Sequence, residues 1–338
     1  MPLGRSGDWS MKSRKKFWSG KRVFVTGFEG FLGSNLTKAL IAYGAEVTGL
    51  DIRVNRKQTI FTPDEYRKIK VIKGDVANFR LIKDIITKRK IDVVFHLAAE
   101  AIVERSYGSP LKAFKSNISG TWSILEACRQ VGNLESIIVA SSDKAYGEHK
   151  KLPYKEDCSL IGRHPYDVSK SCADLISSTY AHSYGLPIAI TRCGNIYGPG
   201  DFNFSRLIPD AIKCILLNKT LKIRSDGQFV RDYVYVDDIV TGYIKIAEFI
   251  RNNKFLGEAF NLSDEKPITV ARLLKEIDKF DFCGNKLKYK IMNIAKYEIK
   301  EQFLSSAKAF RILGWKPKHS LNEGLEKTIA FYIDHFNQ

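Results

Sequence analysis

The chain has 338 residues, 44% of them hydrophobic and 27% charged, a composition that suits one large α/β domain with a smaller attached lobe. No apolar run approaches the ~20 residues of a helical membrane span. The formal net charge is +17, but the basic residues are dispersed and no nucleic-acid motif accompanies them. The charge therefore reads as a lysine-rich surface that attracts an anionic small molecule, not nucleic acid.

Residues 1–18 are polar and basic, with Lys12, Arg14, Lys15 and Lys16, and lack the apolar core of a secretory signal. They are expected to form a flexible leader, and the protein is expected to be cytoplasmic. The six cysteines, at 128, 158, 172, 193, 214 and 283, are scattered without a C-x-x-C pair, which suggests free thiols in a reducing compartment. The histidines show no metal-ligand spacing, so no metal is expected.

Arg22–Thr26 (RVFVT) has the character of a buried strand. It runs into Gly27-Phe28-Glu29-Gly30-Phe31-Leu32-Gly33. Residues 34–43 then have helical periodicity and stop at Gly44, and Glu46–Asp51 is a second strand. Strand, glycine turn, helix and strand make a dinucleotide-binding unit. Gly27 permits the tight turn, Gly30 lets the backbone approach a pyrophosphate, and Gly33 lets the helix pack on the strand. Phe31 and Leu32 lie in the same segment, where the helix N-terminus offers N–H groups to phosphate. Asp51, closing the second strand, can accept hydrogen bonds from ribose hydroxyls, which indicates NAD. Arg53 and Arg56 could receive the 2′-phosphate of NADP, but the Asp51 carboxylate would repel it; both arginines are taken as solvated loop charges.

The alternation continues with strands at Lys70–Lys73, 92–97 and Ser136–Ala140. The helices between them are 79–88 and one long helix over 110–131. This pattern predicts a Rossmann-type, doubly wound parallel sheet covered on both faces, with ligands at the carboxyl ends of the strands. That rim carries Gly27, Asp51, Asp75, Val76, Leu97, Ala98, Ala99 and residues 141–144. A further helix opens at Pro165 and runs to about Tyr184, with Tyr166 and Lys170 on one face. Beyond Thr191 the alternation loosens. Residues 19–190 are expected to be the NAD-binding domain. Residues 232–262, with a helix at 237–250 and a strand at 258–262, return to it. Residues 191–231 and 263–338 are expected to form a smaller substrate-binding lobe.

The segments GFEGFLG, GDV (74–76), HLAA (96–99), SSDKAYG (141–147), YDVSK (166–170), RCGNIYGPGD (192–201) and RDYVYVDD (231–238) run in one order over roughly residues 20–330. In those segments and that order the sequence resembles the extended short-chain dehydrogenase/reductase family. The resemblance implies a redox triad of Ser142, Tyr166 and Lys170, with NAD as cofactor. The residue types suit that chemistry. Tyrosine is a poor base at its ordinary pKa of about 10, and a cation such as Lys170 or the nicotinamide ring favours the phenolate. Ser142 can hold the reacting oxygen near Tyr166.

Asp143-Lys144 resembles the sugar 4,6-dehydratases of CDP-glucose type, where such a pair performs an elimination. The 4-epimerases usually carry small or hydroxyl residues there. RDYVYVDD looks more like epimerases and Asp-Glu dehydratases, which leaves the nucleotide open. The resemblance further implies that Asn195, Arg206, Arg224 and Arg231 hold a nucleotide diphosphate, for which the guanidinium fork is suited. It also implies a homodimer through the helices at 110–131 and 166–184. The expected activity is NAD-dependent 4,6-dehydration of a nucleotide-sugar, with Asp143 as acid and Lys144 as base, directly or through water. The base role requires an amine pKa lowered by burial or by Lys170. The enzyme alternative is a nucleotide-sugar 4-epimerase. The alternative outside catalysis is a redox-silent NAD- or sugar-sensing protein, against which the intact triad argues.

Overall fold

The computed structural model describes residues 11–251, 255–282, 284–295 and 298–337; positions 1–10 and Cys283 lie outside them. Seven strands form one parallel sheet: β1 (Arg22–Thr26), β2 (Glu46–Asp51), β3 (Lys70–Lys73), β4 (Val93–His96), β5 (Ser136–Ala140), β6 (Ile188–Cys193) and β7 (Ala259–Leu262). Their order is β7-β6-β5-β4-β1-β2-β3. After β3 the chain crosses back over β1 to lay down β4, so the strand order reverses there. That reversal opens a crevice at the carboxyl ends of β1 and β4.

The central strands bury alternate residues in opposite faces of the sheet. Val23, Val25, Val93, Phe95 and Ile138 enter one core, and Phe24, Val94, Ile137 and Val139 enter the other. A strand covered on both sides is a continuous apolar run, which is why these segments are legible in the sequence. Helices Phe31–Ala42 and Val236–Ile250 close the first face, and Phe79–Arg89, Gly120–Val131 and Pro165–Tyr184 close the second. Each fully buried Val, Ile or Phe contributes about 1.5–3 kcal/mol to holding these layers together.

Two segments differ from expectation. The leader is not free over its whole length. Met11–Trp18 is helical, Trp18 is fully buried, and its indole N–H donates to Glu248 Oε1 at 2.7 Å. Trp18, with the partly buried Phe17 beside it, docks an otherwise polar helix on the core. The long helix over 110–131 is interrupted: Pro110–Phe114 and Gly120–Val131 are α-helical, but Lys115–Ser119 widens into a π turn. Such turns re-aim side chains and recur at functional sites.

Beyond β6 the chain builds short strand pairs. Asn195–Tyr197 pairs with Tyr233–Tyr235, and Thr220–Ile223 with Lys288–Ile291. Val230–Arg231 lies between Ile268–Thr269 and Glu301–Gln302, with Gln302 opposite Arg231. Among the described residues, no helix is long and apolar enough to cross a membrane.

Candidate active site

The cofactor cradle follows from steric necessity. Gly27 has a φ of +71°, in the left-handed region that favours glycine. A Cβ on Gly33 would lie 2.1 Å from the carbonyl oxygen of Gly27, so only glycine lets the helix sit this close to the turn. Gly30 caps helix Phe31–Ala42 without a side-chain hydrogen bond, which leaves the first-turn N–H groups at Phe31 and Leu32 for an anion. Across the crevice, the amides of Leu97 and Ala98 donate to Thr26 Oγ1 at 3.1 and 3.2 Å, and Ala99 follows on the same rim. His96 lies between Thr26 and Thr121, at 2.9 and 3.1 Å, and burial pushes its pKa down to about 3, so it stays neutral. Val76 is buried against Gly120, and Asp75 accepts the amide of Ala77 and pairs with Lys115 at 3.2 Å.

Asp51 ends β2 with its carboxylate buried. Its two oxygens take Arg56 Nη2 at 3.0 and 3.1 Å, and Oδ1 also accepts the amide of Arg53 at 3.1 Å. The expectation of a solvated Arg56 is therefore corrected. Asp51 holds it, with Glu29 3.7 Å from its Nε. A bare turn, an open helix end and a carboxylate at the tip of the next strand fit NAD. The engaged arginine offers no free receptor for a 2′-phosphate.

Beside the cradle, β5 ends at Ala140 and hands the chain to Ser142. This serine caps the 3-10 turn Asp143–Tyr146, accepting the amide of Lys144 at 3.2 Å. Tyr166 enters from helix Pro165–Tyr184 and is hydrogen-bonded to Ser142. One turn further on, Lys170 donates through Nζ to the carbonyl of Ala140 at 2.8 Å. The structure thus joins Ser142 to Tyr166 and brings Lys170, one helical turn on, to the end of the same strand at Ala140. Burial pushes Lys170 down to about 8 and Tyr166 up to about 12; the Ser142 hydrogen bond and the charge of Arg206 pull Tyr166 back only in part. The expected lowering of Tyr166 by Lys170 is not found: burial dominates, and the lowering influences are Ser142 and Arg206.

Asn117, which the sequence reading did not single out, belongs to the same cluster. It sits on the π turn, fully buried. Its amide donates to Ser169 Oγ at 2.8 Å and to the Glu100 carbonyl at 3.1 Å, and its oxygen accepts the Glu100 amide at 2.7 Å. It thereby ties the loop after β4 to the Tyr166 helix. No sequence signal set it apart, since Thr121 and Ser123 on the following helix are buried polar residues as well.

The Asp143 carboxylate is buried. Its Oδ1 accepts from Ser142 Oγ at 2.9 Å and its Oδ2 from Lys144 Nζ at 2.9 Å. Lys144 also donates to Gln302 Oε1, and Gln302 Nε2 donates to the Asp143 carbonyl at 2.9 Å. Gln302 has no sequence signal at all, since it reaches the pair from the far end of the chain. Asp167, next to Tyr166, is a second buried carboxyl. Burial raises its pKa, and the charges of Lys144 and His164 oppose that rise. Among the described residues, no group of three His, Cys, Asp or Glu side chains is placed to hold a metal.

The four residues expected at the substrate divide. Arg206 pairs with Asp201 at 3.0 Å, and its charge reaches Tyr166. Asn195 Nδ2 donates to the Asp232 carbonyl at 3.3 Å. Arg224 is half exposed and paired with Glu104. Arg231 is buried, its Nη atoms spent on the carbonyls of Val230, Ile299 and Lys300.

A parallel sheet with a bare glycine turn at its switch point, and a Ser–Tyr–Lys set on the adjoining rim, defines a dinucleotide-binding protein of the short-chain dehydrogenase/reductase class. Residues 24–328 match the family model described as GDP-mannose 4,6 dehydratase. The chain is 31% identical over 335 residues to the CDP-glucose 4,6-dehydratase of Salmonella typhimurium, covering 94% of this chain and 92% of that one. It is 30% identical over 321 residues to a trifunctional UDP-glucose 4,6-dehydratase/3,5-epimerase/reductase of Arabidopsis thaliana, but spans only 47% of its length. Among solved structures it resembles the UDP-glucuronic acid 4-epimerase of Bacillus cereus in complex with UDP-glucuronic acid and NAD. The TM-score is 0.81 at 28% identity, over 93% of this chain and 99% of that one. The chain belongs to the extended short-chain dehydrogenase/reductase family of NAD-dependent nucleotide-sugar dehydratases and epimerases.

Proposed function

We propose that the protein is a nucleotide-sugar 4,6-dehydratase, converting a nucleotide-diphosphate sugar to its 4-keto-6-deoxy form. One observation carries this reading: the buried Asp143 carboxylate accepts the triad hydroxyl of Ser142 on one oxygen and Lys144 on the other, each at 2.9 Å. A 4-epimerase exchanges hydrogen only at C4, so a second acid–base pair touching the triad is surplus to it.

NAD, when bound, supplies the redox chemistry by taking a hydride from C4 and returning it at C6. Tyr166, as phenolate, removes the C4 hydroxyl proton while Ser142 holds that oxygen. In the free protein burial keeps the phenol neutral, at about 12. A positive charge brought beside the ring shifts the balance toward phenolate. The 4-keto group acidifies the C5 proton. Lys144, as free amine, takes that proton, and Asp143, as carboxylic acid, protonates the departing C6 hydroxyl, which leaves as water. The resting hydrogen bonds are those of an ammonium and a carboxylate. One proton moves from Lys144 to Asp143 beforehand, and the elimination restores the resting pair. As C6 is reduced, the Lys144 ammonium returns a proton to C5, and the proton taken by Tyr166 makes good that loss, so the cycle closes.

Arg206, with Asn195 and Arg224, is proposed to hold the nucleotide diphosphate; Arg231, expected there from the sequence, has its Nη atoms taken by main-chain carbonyls and braces the fold instead. A homodimer is proposed through the helices at 110–131 and 165–184, supported by the exposed Leu111, Trp122 and Leu175 on them. Sedimentation of Trp122→Glu as a monomer, against a dimeric parent, tests it. The reaction is tested by mass spectrometry of products from CDP-, GDP-, UDP- and dTDP-sugars. A product lighter than its substrate by one water is expected; an isomeric product identifies a 4-epimerase instead.

A further inference from the structure

Gln302 is fully buried, and 158 residues separate it from Lys144. A buried primary amide is costly unless its oxygen and nitrogen both find partners, and an apolar side chain would fill the same space at less cost. Both ends of this amide go to one dipeptide. The oxygen accepts from Lys144 Nζ, and the nitrogen donates to the Asp143 carbonyl at 2.9 Å. The orientation is not ambiguous. An ammonium only donates and a carbonyl only accepts, so the oxygen must face Lys144 and the nitrogen Asp143.

The segment that carries Gln302 is braced from behind. It runs parallel to Val230–Arg231, with Gln302 opposite Arg231. The Arg231 guanidinium grips the carbonyls of Ile299 and Lys300, and Asp232 Oδ2 accepts the amide of Leu304 at 3.3 Å and the hydroxyl of Ser263. Arg231 and Asp232 thus hold the strand, and the strand holds the pair.

We infer that Gln302 is a positioning residue that fixes Lys144 beside Asp143 with a neutral acceptor, keeping the amine in place while leaving it able to release its proton. Its use in catalysis rests on the dehydratase reading; its hold on Lys144 does not. A carboxylate in the same position would fix the amine equally well but bind it as ammonium. A thioether of similar length would remove the acceptor altogether.

The test reads Lys144 without substrate. Its side chain is 20% exposed, within reach of acetic anhydride, which acylates free amine and spares ammonium. Labelling of the Lys144 peptide is followed by mass spectrometry across pH in the full-length protein, with the exposed Lys83 as internal reference. In Gln302→Glu the midpoint for Lys144 is expected to rise by about one pH unit, a tenfold loss of free amine at fixed pH. In Gln302→Met, which adds no buried charge and serves if the glutamate variant fails to fold, it is expected to fall. Lys83 should not move in either. Opposite shifts at one lysine are not what loosened packing produces. Midpoints that coincide with the parent's in whichever variants fold would overturn the inference. In turnover, Gln302→Glu should lose at least ~10-fold of water elimination near neutral pH and recover it as pH rises. Opposite shifts combined with an isomeric product from the parent would remove the dehydratase reading and leave the hold on Lys144 standing.

Discussion

Around Gly27 the cleft is built from neighbours in sequence. Gly27, Gly30, Gly33, Asp51 and Arg56 all fall within one strand–turn–helix–strand unit and the loop that follows it. Around Lys144 the opposite holds. Its partners are Asp143, one residue away, and Gln302, 158 residues away, and the strand bearing Gln302 is gripped by Arg231. The first region depends on the local geometry of a turn. The second depends on whether a distant segment, Glu301–Gln302, docks in register. A defect in the first should abolish cofactor binding, and a defect in the second should leave cofactor binding intact while stopping the chemistry.

The largest expected effect lies in the first region. A methyl group on Gly33 would sit 2.1 Å from the Gly27 oxygen and 2.8 Å from its carbonyl carbon, both backbone atoms with nowhere to go. Gly33→Ala should cost about 3 kcal/mol or more in stability. It should also weaken NAD binding at least ~100-fold by calorimetric titration. Parent-like NAD affinity would move the cofactor away from this turn.

The next pair of variants sets the two regions against each other. Tyr166→Phe removes one hydroxyl from the triad, so the fold and NAD binding should persist while turnover falls at least ~100-fold. Near-normal turnover would remove Tyr166 from the mechanism. Lys144→Ala should bind NAD normally and still oxidise C4. The near-ultraviolet absorbance of reduced cofactor should then appear after substrate is added, and persist because the C5 proton is not removed. Dehydration at the parent's rate would return Lys144 to a structural role.

This division also explains what could be seen in the sequence. The glycine spacing, the apolar strands and the Tyr166–Lys170 interval are local patterns, and the sheet, the cradle and the triad follow from them. Trp18 could not be assigned, because its burial depends on a helix more than two hundred residues away, where Glu248 receives its indole. Asn117 was hidden inside a helical pattern that the chain breaks with a π turn. Arg231 was legible as an important arginine, but not as one that spends its fork on main-chain carbonyls. Gln302 had no local signal, since only tertiary register makes it a partner of Lys144.

A pH series separates the regions by the sign of their response. His96, beside the cradle, has its pKa lowered from 6.5 to about 3 by burial, so the unfolded chain binds its proton more readily. Its contribution to stability is present above pH 6.5 and lost as pH falls toward 3. Asp232, behind Gln302, has its pKa raised from 3.8 to about 7, also by burial, so here the folded chain binds the proton more tightly. Its contribution is present below pH 3.8 and lost as pH rises through 7. In thermal melts, Asp232→Asn should therefore compare more favourably with the parent at pH 8 than at pH 5, by on the order of 2 kcal/mol. His96→Asn should compare more favourably at pH 4.5 than at pH 7. A pH-independent difference in either variant would refute the assignment for that residue.

The smallest effect is expected at Arg56, which tests how the cradle selects its cofactor. The Arg56 side chain is 36% exposed and both oxygens of the buried Asp51 lie within hydrogen-bond distance of its Nη2. Solvent screens such a pair, which is worth roughly 0.5–1 kcal/mol. Arg56→Ala frees the carboxylate for ribose hydroxyls, but it also removes the charge that partly neutralises Asp51. The two consequences oppose each other for NAD, whose affinity should change by less than ~10-fold. For NADP they do not cancel, because an unneutralised Asp51 repels a 2′-phosphate more strongly. The preference for NAD should therefore widen a few-fold in the variant, as measured by titrating cofactor-free protein with each dinucleotide. A parent that prefers NADP, and loses that preference in Arg56→Ala, would make Arg56 a phosphate ligand and reduce Asp51 to its counter-ion.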